Sequence, residues 1–208
     1  MADFTQAPLD DNITHQEVTH SAVVLASVVG TEEVVTSGEM WTTIHMHHAF
    51  IEAGANTNPA SFFVQTNLAA TGSDESWVTV AQFTVTNATT VEEDMTATEA
   101  AGVTELAIAS STGFANGDYI YIRDTTTVAD SEWQQIAFVT ATPTINIHTP
   151  GLETGKDSAD EIWSDAETFT MILDLSGVGR WRVVYMNQGA AAMNTAIWVR
   201  FITTTDFV

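Results

Sequence analysis

Short runs of β-branched, aromatic and aliphatic residues recur along the chain, separated by turns rich in Gly, Asn, Asp and Ser. Helical periodicity is scarce, whereas short apolar runs bounded by turn residues are frequent, and this pattern predicts strands. An all-β sandwich or barrel is therefore expected. The predicted strands include residues 21–29, 39–52, 61–67, 77–86, 105–109, 119–123, 134–140, 144–148, 168–175, 180–187 and 195–203.

Near the C-terminus, the alternation places apolar residues on both faces of a strand. In the last predicted strand, Ile197 and Val199 point to one face, and Trp198 and Ile202 point to the other. The strand before it repeats this arrangement. The second face is therefore predicted to be covered as well, by a second sheet or by a neighbouring subunit.

The middle of the chain differs from its two ends. Residues 91–102 are acidic, small and weakly periodic, which predicts a connector, and a self-contained run of short strands follows them. We therefore predict a discontinuous, jelly-roll-like β-sandwich from residues 21–92 plus 166–208, with a small β-barrel-like module, residues 93–165, inserted in it. Residues 1–20 lack periodicity and are predicted to form an extended N-terminal arm.

The charge balance excludes several classes of partner. The chain has 27 Asp and Glu against five Lys and Arg, and its net charge is −22. It offers no basic patch, so binding to nucleic acid or to an anionic membrane is not expected. An acidic surface poor in lysine suits a salty environment, where self-repulsion is screened. The alternative is an ordinary acidic protein that its charge keeps soluble.

The sequence contains no cysteine, no basic-then-apolar leader at its N-terminus and no apolar run of about 20 residues. Neither a disulfide framework nor thiolate chemistry is therefore expected. We predict a protein without a signal peptide that is made in a cytoplasm and either stays there or leaves by lysis.

The stretch "IHMHHAF", residues 44–50, holds three of the six histidines. On a strand, His45 and His47 share one face, and His48 lies on the other. Two same-face histidines can chelate Zn²⁺ or Ni²⁺, but zinc needs three or four ligands and no second spaced motif is present. Packing, or a seam between subunits, is the preferred interpretation, although a threefold axis would bind an ion without any motif. A third ligand would come from His15, His20 or His148.

Other candidate chemistry is weak. Acidic clusters at residues 74–75, 92–94 and 157–161 could offer oxygen ligands to calcium, but none has the EF-hand register. Nucleophile-elbow, phosphate-loop and dinucleotide motifs are missing, although the sequence does not exclude a chance pair of glycosidase carboxylates. We predict a protein that is not an enzyme, with no catalytic residue and no cofactor.

Tryptophan and arginine are the remaining candidates for contacts. Exposed tryptophans stack on sugars, but all six lie in or next to predicted strands, which favours burial. The arginines near the C-terminus are predicted to bridge to acidic residues of a neighbouring subunit, with pairing inside the chain as the alternative. The candidate subunit or capsid interface residues are His45, His47, Arg180, Arg182, Arg200 and Trp198.

The middle module carries a resemblance. Its "GVTELAIASSTGFANGDYIYIRD", followed by Glu132 and "QQIAFV", resembles a small β module found repeatedly in phage and virus-like structural proteins. The residues have a physical reading of their own. Leu106 and Ile108 alternate into a small core, which Phe114 closes, and Gly117 with Asp118 makes the tight turn into the next strand.

The flanking segments extend this resemblance. "GEMWTTIHMHHAFIEAG", "ESWVTVAQFTV" and "RWRVVYMNQGAAAMNTAIWVRFITT" are similar to virion proteins of tailed phages. The resemblance implies a capsid decoration (cement) protein, a β-rich homotrimer on the capsid exterior whose partner is the major capsid protein. The near-absence of lysine departs from that pattern and leaves the host, bacterial or halophilic archaeal, open.

Two other functions remain open. One is a low-copy tail, baseplate or receptor (glycan)-binding virion component. The other is a calcium-dependent carbohydrate-binding module of a secreted protein, against which the missing signal peptide argues.

Overall fold

The protein is described by a computed structural model that covers residues 16–20, 26–36, 38–51, 54–55, 60–71, 77–85, 89–140, 143–165, 167–187 and 193–205. These residues form antiparallel sheets and no α-helix, which confirms the predicted all-β class. No helix in this part of the chain has the length and apolar character needed to cross a membrane.

Two four-stranded sheets form a sandwich. The first contains, in spatial order, Gln16–His20 (β1), Met193–Thr205 (β16), Glu39–Phe50 (β3) and Glu167–Asp174 (β14). The second contains Ala26–Val34 (β2), Arg180–Asn187 (β15), Ala60–Asn67 (β5) and Val78–Val85 (β6). Two short strands, Gly54–Ala55 (β4) and Thr89–Thr90 (β7), pair separately.

The connectivity of the sandwich is that of a jelly roll. When its eight strands alone are numbered along the chain, the first sheet has the order 1-8-3-6 and the second 2-7-4-5. This is the double Greek key of a jelly roll, in which strands close in sequence cross from one sheet to the other. The predicted jelly-roll-like sandwich is therefore confirmed.

The sandwich core lies between the two sheets. Period-two alternation turns Ile44 and Met46 of β3 inward, where they meet Phe62 of β5, Tyr185 of β15 and Ile197 of β16, all fully buried. Partly exposed side chains extend this core at its margin, among them Phe83 on β6 and Phe169 on β14, whose ring centroids are 5.3 Å apart.

A six-stranded sheet, curled into a half-barrel, occupies the chain between β6 and β14. Its core contains Leu106, Ile108, Phe114, Ile120 and Ile122, which confirms the predicted core of the inserted module. Its strands, in spatial order, are Glu92–Asp94 (β8), Glu161–Ser164 (β13), Tyr119–Arg123 (β10), Glu132–Thr140 (β11), Thr144–Ile147 (β12) and Glu105–Ala107 (β9).

The turn before β10 forms as predicted. Gly117 adopts a φ of +90°, a left-handed conformation that costs glycine little. The Asp118 carboxylate accepts a hydrogen bond from the Ala115 backbone N–H at 2.8 Å, so its role is to fix the turn.

Several strands differ from the sequence prediction. β8 lies within residues 91–102, which were expected to form a connector, and β13 lies outside the predicted strands; the two pair with each other, so that Ile162 enters the module core. β1 lies within the predicted N-terminal arm and pairs with β16, whereas residues 1–15 are outside the described part of the chain. The predicted limits of the sandwich and the module remain predictions.

A buried ion pair fixes one end of the module. Lys156, the only lysine, is 1% exposed, and its Nζ donates to the Glu132 carboxylate at 2.8 Å and to the Asp130 carbonyl at 2.9 Å. Glu132 also accepts hydrogen bonds from the Gln134 side chain and the Glu153 backbone N–H. The loop before Lys156 is thereby tied to the start of β11.

This ion pair gives a stability prediction. Replacing Lys156 with Met leaves the Glu132 carboxylate buried without its counter-ion, which typically costs about 3–5 kcal/mol. Arg123, whose pair with Glu161 at 3.0 Å is about a quarter exposed, is the matched control. Arg123→Gln is expected to cost less than about 1 kcal/mol. The free energy of unfolding in urea distinguishes the two, and equal losses would contradict the assignment.

Candidate functional site

The histidine stretch is divided between the two faces of β3, as predicted. His48 points into the sandwich core, where its Nε2 lies 2.7 Å from the Tyr185 hydroxyl. His47 points to the outer face of the first sheet and is fully buried. Since β3 runs through the middle of its sheet, burial of His47 requires a second layer on the outside of the sandwich.

The inserted module supplies that layer. Tyr121, Trp133 and Trp163 of its sheet pack against Ala49 and Ala196 on the outer face of β3 and β16. Aromatic rings crowd around His47 here: the centroid distances are 4.2 Å to Tyr119, 5.0 Å to Trp198 and 5.9 Å to Trp133. We call His47, Tyr119, Trp133, Trp198 and Arg200 the junction cluster.

A carboxylate orients the His47 ring. The Nδ1 of His47 lies 3.1 Å from Asp165 Oδ2 and 3.1 Å from Thr168 Oγ1, and the Thr168 hydroxyl donates to the same carboxylate. Because an ionised carboxylate only accepts hydrogen bonds, Nδ1 carries the hydrogen, and in the neutral ring Nε2 is an acceptor. Asp165 also accepts from the His48 backbone N–H, so one side chain fixes both β3 and the start of β14.

Three buried nitrogen atoms of the junction cluster have no hydrogen-bond partner among the described residues: His47 Nε2, Trp133 Nε1 and Arg200 Nε. They offer one acceptor and two donors. A cation is disfavoured because the Arg200 guanidinium lies in the same cluster.

Arg200 is held by aromatic rings. Its guanidinium carbon lies 4.8 Å from the Trp198 ring centroid and 4.9 Å from that of Tyr119, and its Nη2 donates to the Tyr119 hydroxyl. Cation–π contacts of this kind are strongest when they are shielded from water. None of the ion pairs within the described residues involves Arg200.

Arg180 and Arg182 lie elsewhere. Both are on β15 in the second sheet and stack on the Trp77 ring, with guanidinium carbons 5.1 and 4.1 Å from its centroid. The three C-terminal arginines are therefore not brought together, because β15 and β16 belong to opposite sheets of the jelly roll. All the contacts described for them are within one chain, so their role at a subunit interface remains a prediction.

Within the described residues, the candidate metal ligands and the acidic clusters do not come together as a metal site. His45 hydrogen-bonds Thr170 at 3.0 Å, and no group of three potential ligands occurs in the part of the chain that the structure describes. His148 is exposed in the module, whereas His15 and residues 74–75 lie outside the described residues. Asp160 accepts hydrogen bonds from the Thr125 and Asp157 backbone N–H groups and so fixes a loop.

Both outward-facing histidines have shifted pKa values. Burial lowers the pKa of His47 and the Arg200 guanidinium lowers it further, against the hydrogen bond and charge of Asp165, which raise it. Partial burial lowers the pKa of His45, and Arg200 and His47 add to that effect. Both histidines therefore favour the neutral form beside a permanent cation.

The sequence did not indicate three of the residues at this site. They are Tyr119 and Trp133 in the junction cluster and Asp165, which orients His47. The signal that could have found the aromatic partners is alternation in β10, where Ile120 and Ile122 face the module core and Tyr119 and Tyr121 face the opposite side. An aromatic second face indicates a second buried interface.

Comparison with protein-family models, with curated proteins and with solved structures returned no match to this chain.

The buried His47 predicts that acid weakens the fold. Its pKa when folded lies below the usual 6.5, so the unfolded chain takes up the proton first as the pH falls. The stability that neutral His47 contributes is complete above pH 6.5 and is lost below it, by at most about 1.4 kcal/mol per pH unit for one proton.

The measurement is the free energy of unfolding at neutral and mildly acidic pH, in the wild type and in His47→Gln. The glutamine amide can still donate to Asp165 but does not titrate, so the variant should lose less stability on acidification. His148→Gln, which removes an exposed histidine, is the control and should behave as the wild type. An equal loss in all three proteins would contradict the prediction.

Proposed function

We propose that this chain is a non-enzymatic structural protein of a virion, a capsid decoration (cement) protein that binds the outer capsid lattice as a homotrimer and stabilises the particle. The observation that carries the proposal is that the side chains best suited to catalysis have packing roles in the fold. His47 and His48, which would be among the first candidates for catalysis, are buried. Arg180, Arg182 and Arg200 contact aromatic rings of the same chain.

The way the sandwich and module are joined supports this role. His47 is fully buried between Asp165 and aromatic rings, so it serves as a packing element at the junction. The sheet of the module packs on the outer face of the first sandwich sheet, so β3 is covered by the sandwich core on one face and by the module on the other. A rigid, two-layered β platform suits a protein whose task is to hold its neighbours in place.

The fold agrees with the proposal without being specific for it. Double-sheet jelly rolls occur in viral capsid proteins, but also in lectins and cupins. Because a fold can host unrelated functions, this agreement is an analogy. The choice of a virion role comes from the resemblance of the module and its flanks to virion proteins of tailed phages.

The energetic mechanism is binding linkage. A protein that binds only the assembled lattice stabilises it by mass action, to an extent set by its concentration relative to its dissociation constant. The major capsid protein is the proposed lattice partner. The chain's carboxylates would direct it to basic or neutral surfaces of the shell.

A second candidate is a low-copy tail, baseplate or receptor-binding component that recognises glycans. Trp41 favours it, because this tryptophan of β3 is 38% exposed on the outer face of the first sheet, beyond the module. Exposed tryptophan rings stack on sugar rings. Loss of glycan binding in Trp41→Ala, with Trp181→Phe in the core as the folding control, would support this candidate.

The proposed function predicts a copy number. In particles purified from the virus that encodes the chain, its amount relative to the major shell protein should be high and in simple proportion, as occupancy of every threefold site requires. Particles made without the chain should lose heat resistance, and adding back the purified protein should restore it. A handful of copies would move the chain to the tail or a vertex, and absence from particles would overturn the virion proposal.

A further inference from the structure

One side of the sandwich is left open. β6 and β14 are the last strands of their respective sheets and lie on the same side, as the contact between Phe83 and Phe169 shows. Each has a strand partner on one side only among the described residues. We call Val78, Val80, Phe83, Phe169 and Ile172 the β6–β14 edge.

This edge is apolar. Val78, Val80 and Ile172 are 60%, 48% and 70% exposed, which places them among the most exposed large apolar side chains described in the protein. Phe83 and Phe169, on the same two strands, are partly buried against the sandwich core. Several exposed apolar side chains on neighbouring edge strands mark an interaction site more often than a single exposed residue does.

One strand of this edge, β6, also lacks the charged protection that the other edge strands have. Unpaired strand edges invite pairing with another chain, and proteins guard them with charged side chains, proline or short length. β6 has eight residues and no charge or proline, and β14 carries carboxylates only at its first and last residues. A β-bulge near Val80 is the one protective feature of β6.

The remaining edges of the three larger sheets all carry carboxylates. β1 contains Glu17, β2 contains Glu32 and Glu33, β8 consists of three acidic residues, and β9 contains Glu105. Because the only lysine is buried, carboxylates are the charged guard most available to this chain. Among the edge strands of these three sheets, β6 is thus the one without a carboxylate.

We propose that the β6–β14 edge is the surface on which a second copy of this chain docks. The net charge of the chain is the reason for choosing a second copy as the partner at this edge. Two chains that each carry a net charge of −22 repel each other, so copies can approach closely only where carboxylates are few, as along β6 and the middle of β14. An unrelated partner has no such need, since it can match the acidic surface with basic residues.

This contact deepens the proposed function, because it supplies the self-association that a homotrimer requires, and in that respect it rests on that function. The contact combines apolar burial of Val78, Val80 and Ile172 with main-chain hydrogen bonding along β6. Added salt should strengthen it, since salt screens the repulsion between the chains and leaves apolar contacts intact.

The experiment is the molar mass of the full chain in solution, measured by light scattering at low and high salt. The wild type should show a multiple of the 22.4 kDa chain mass, three times for the trimer, with a larger associated fraction at high salt. Val80→Glu and Ile172→Glu each place a carboxylate on the edge and should give monomers. Phe138→Glu, on a module residue that is 50% exposed, adds the same charge elsewhere and should associate as the wild type does.

Circular dichroism and thermal melting establish that the variants are folded, as the exposure of the two edge positions leads us to expect. A monomeric wild type at high micromolar concentration, or edge variants that associate as the wild type does, would overturn the proposal. The proposal would also be overturned if the wild type were monomeric and bound shell particles, and if Val80→Glu abolished that binding. The partner at this edge would then be the shell protein. Failure of the proposed function is distinguishable, because it is judged by the copy number of the chain in particles, whatever the oligomeric state of the chain in solution.

Discussion

The burial of β3 on both faces is the constraint on which the rest of the structure depends. Ile44 and Met46 face the sandwich core, whereas His47 and Ala49 face the module. A strand covered on both sides cannot slip by one residue, because a slip would exchange the two sets of side chains. Most buried polar groups in proteins are hydrogen-bonded, and Asp165 supplies a partner for His47 Nδ1 from the segment that links the module to β14. The junction of the sandwich and the module therefore depends on β3 and this carboxylate, together with the contacts of Trp198 and Arg200 on β16.

The scarcity of basic residues determines where the cations lie and leaves the surface negative. With five Lys and Arg against 27 acidic residues, most carboxylates have no basic partner. All five cations contact other residues of the chain: Lys156 in a buried ion pair, Arg200 against Tyr119 and Trp198, Arg180 and Arg182 against Trp77, and Arg123 in a partly exposed pair with Glu161. The surface is thereby left strongly negative, which favours solubility and opposes self-association. A close contact between two such chains is therefore favoured only where carboxylates are few.

The sequence predicts the strands and cores that obey alternation, such as the inward set on β3 and the module core around Leu106 and Ile120. It misses β8 and β13, because strands of three and four residues are too short for periodicity to stand out and because their acidic residues are typical of loops. The partners of His47 escape prediction for a different reason. Asp165 is more than a hundred residues away, and alternation shows that a face is covered without showing what covers it.

The route of the inserted module explains why one surface is covered and the other is open. The chain leaves the second sheet at β6 and re-enters the first sheet at β14, so both ends of the insertion lie on the same side of the sandwich. The module could have folded over that side and closed it. Instead its aromatic residues Tyr121, Trp133 and Trp163 cover the outer face of β3 and β16. The insertion thus buries His47 and leaves the β6–β14 edge open, which connects the internal packing of the protein to the proposed contact between copies.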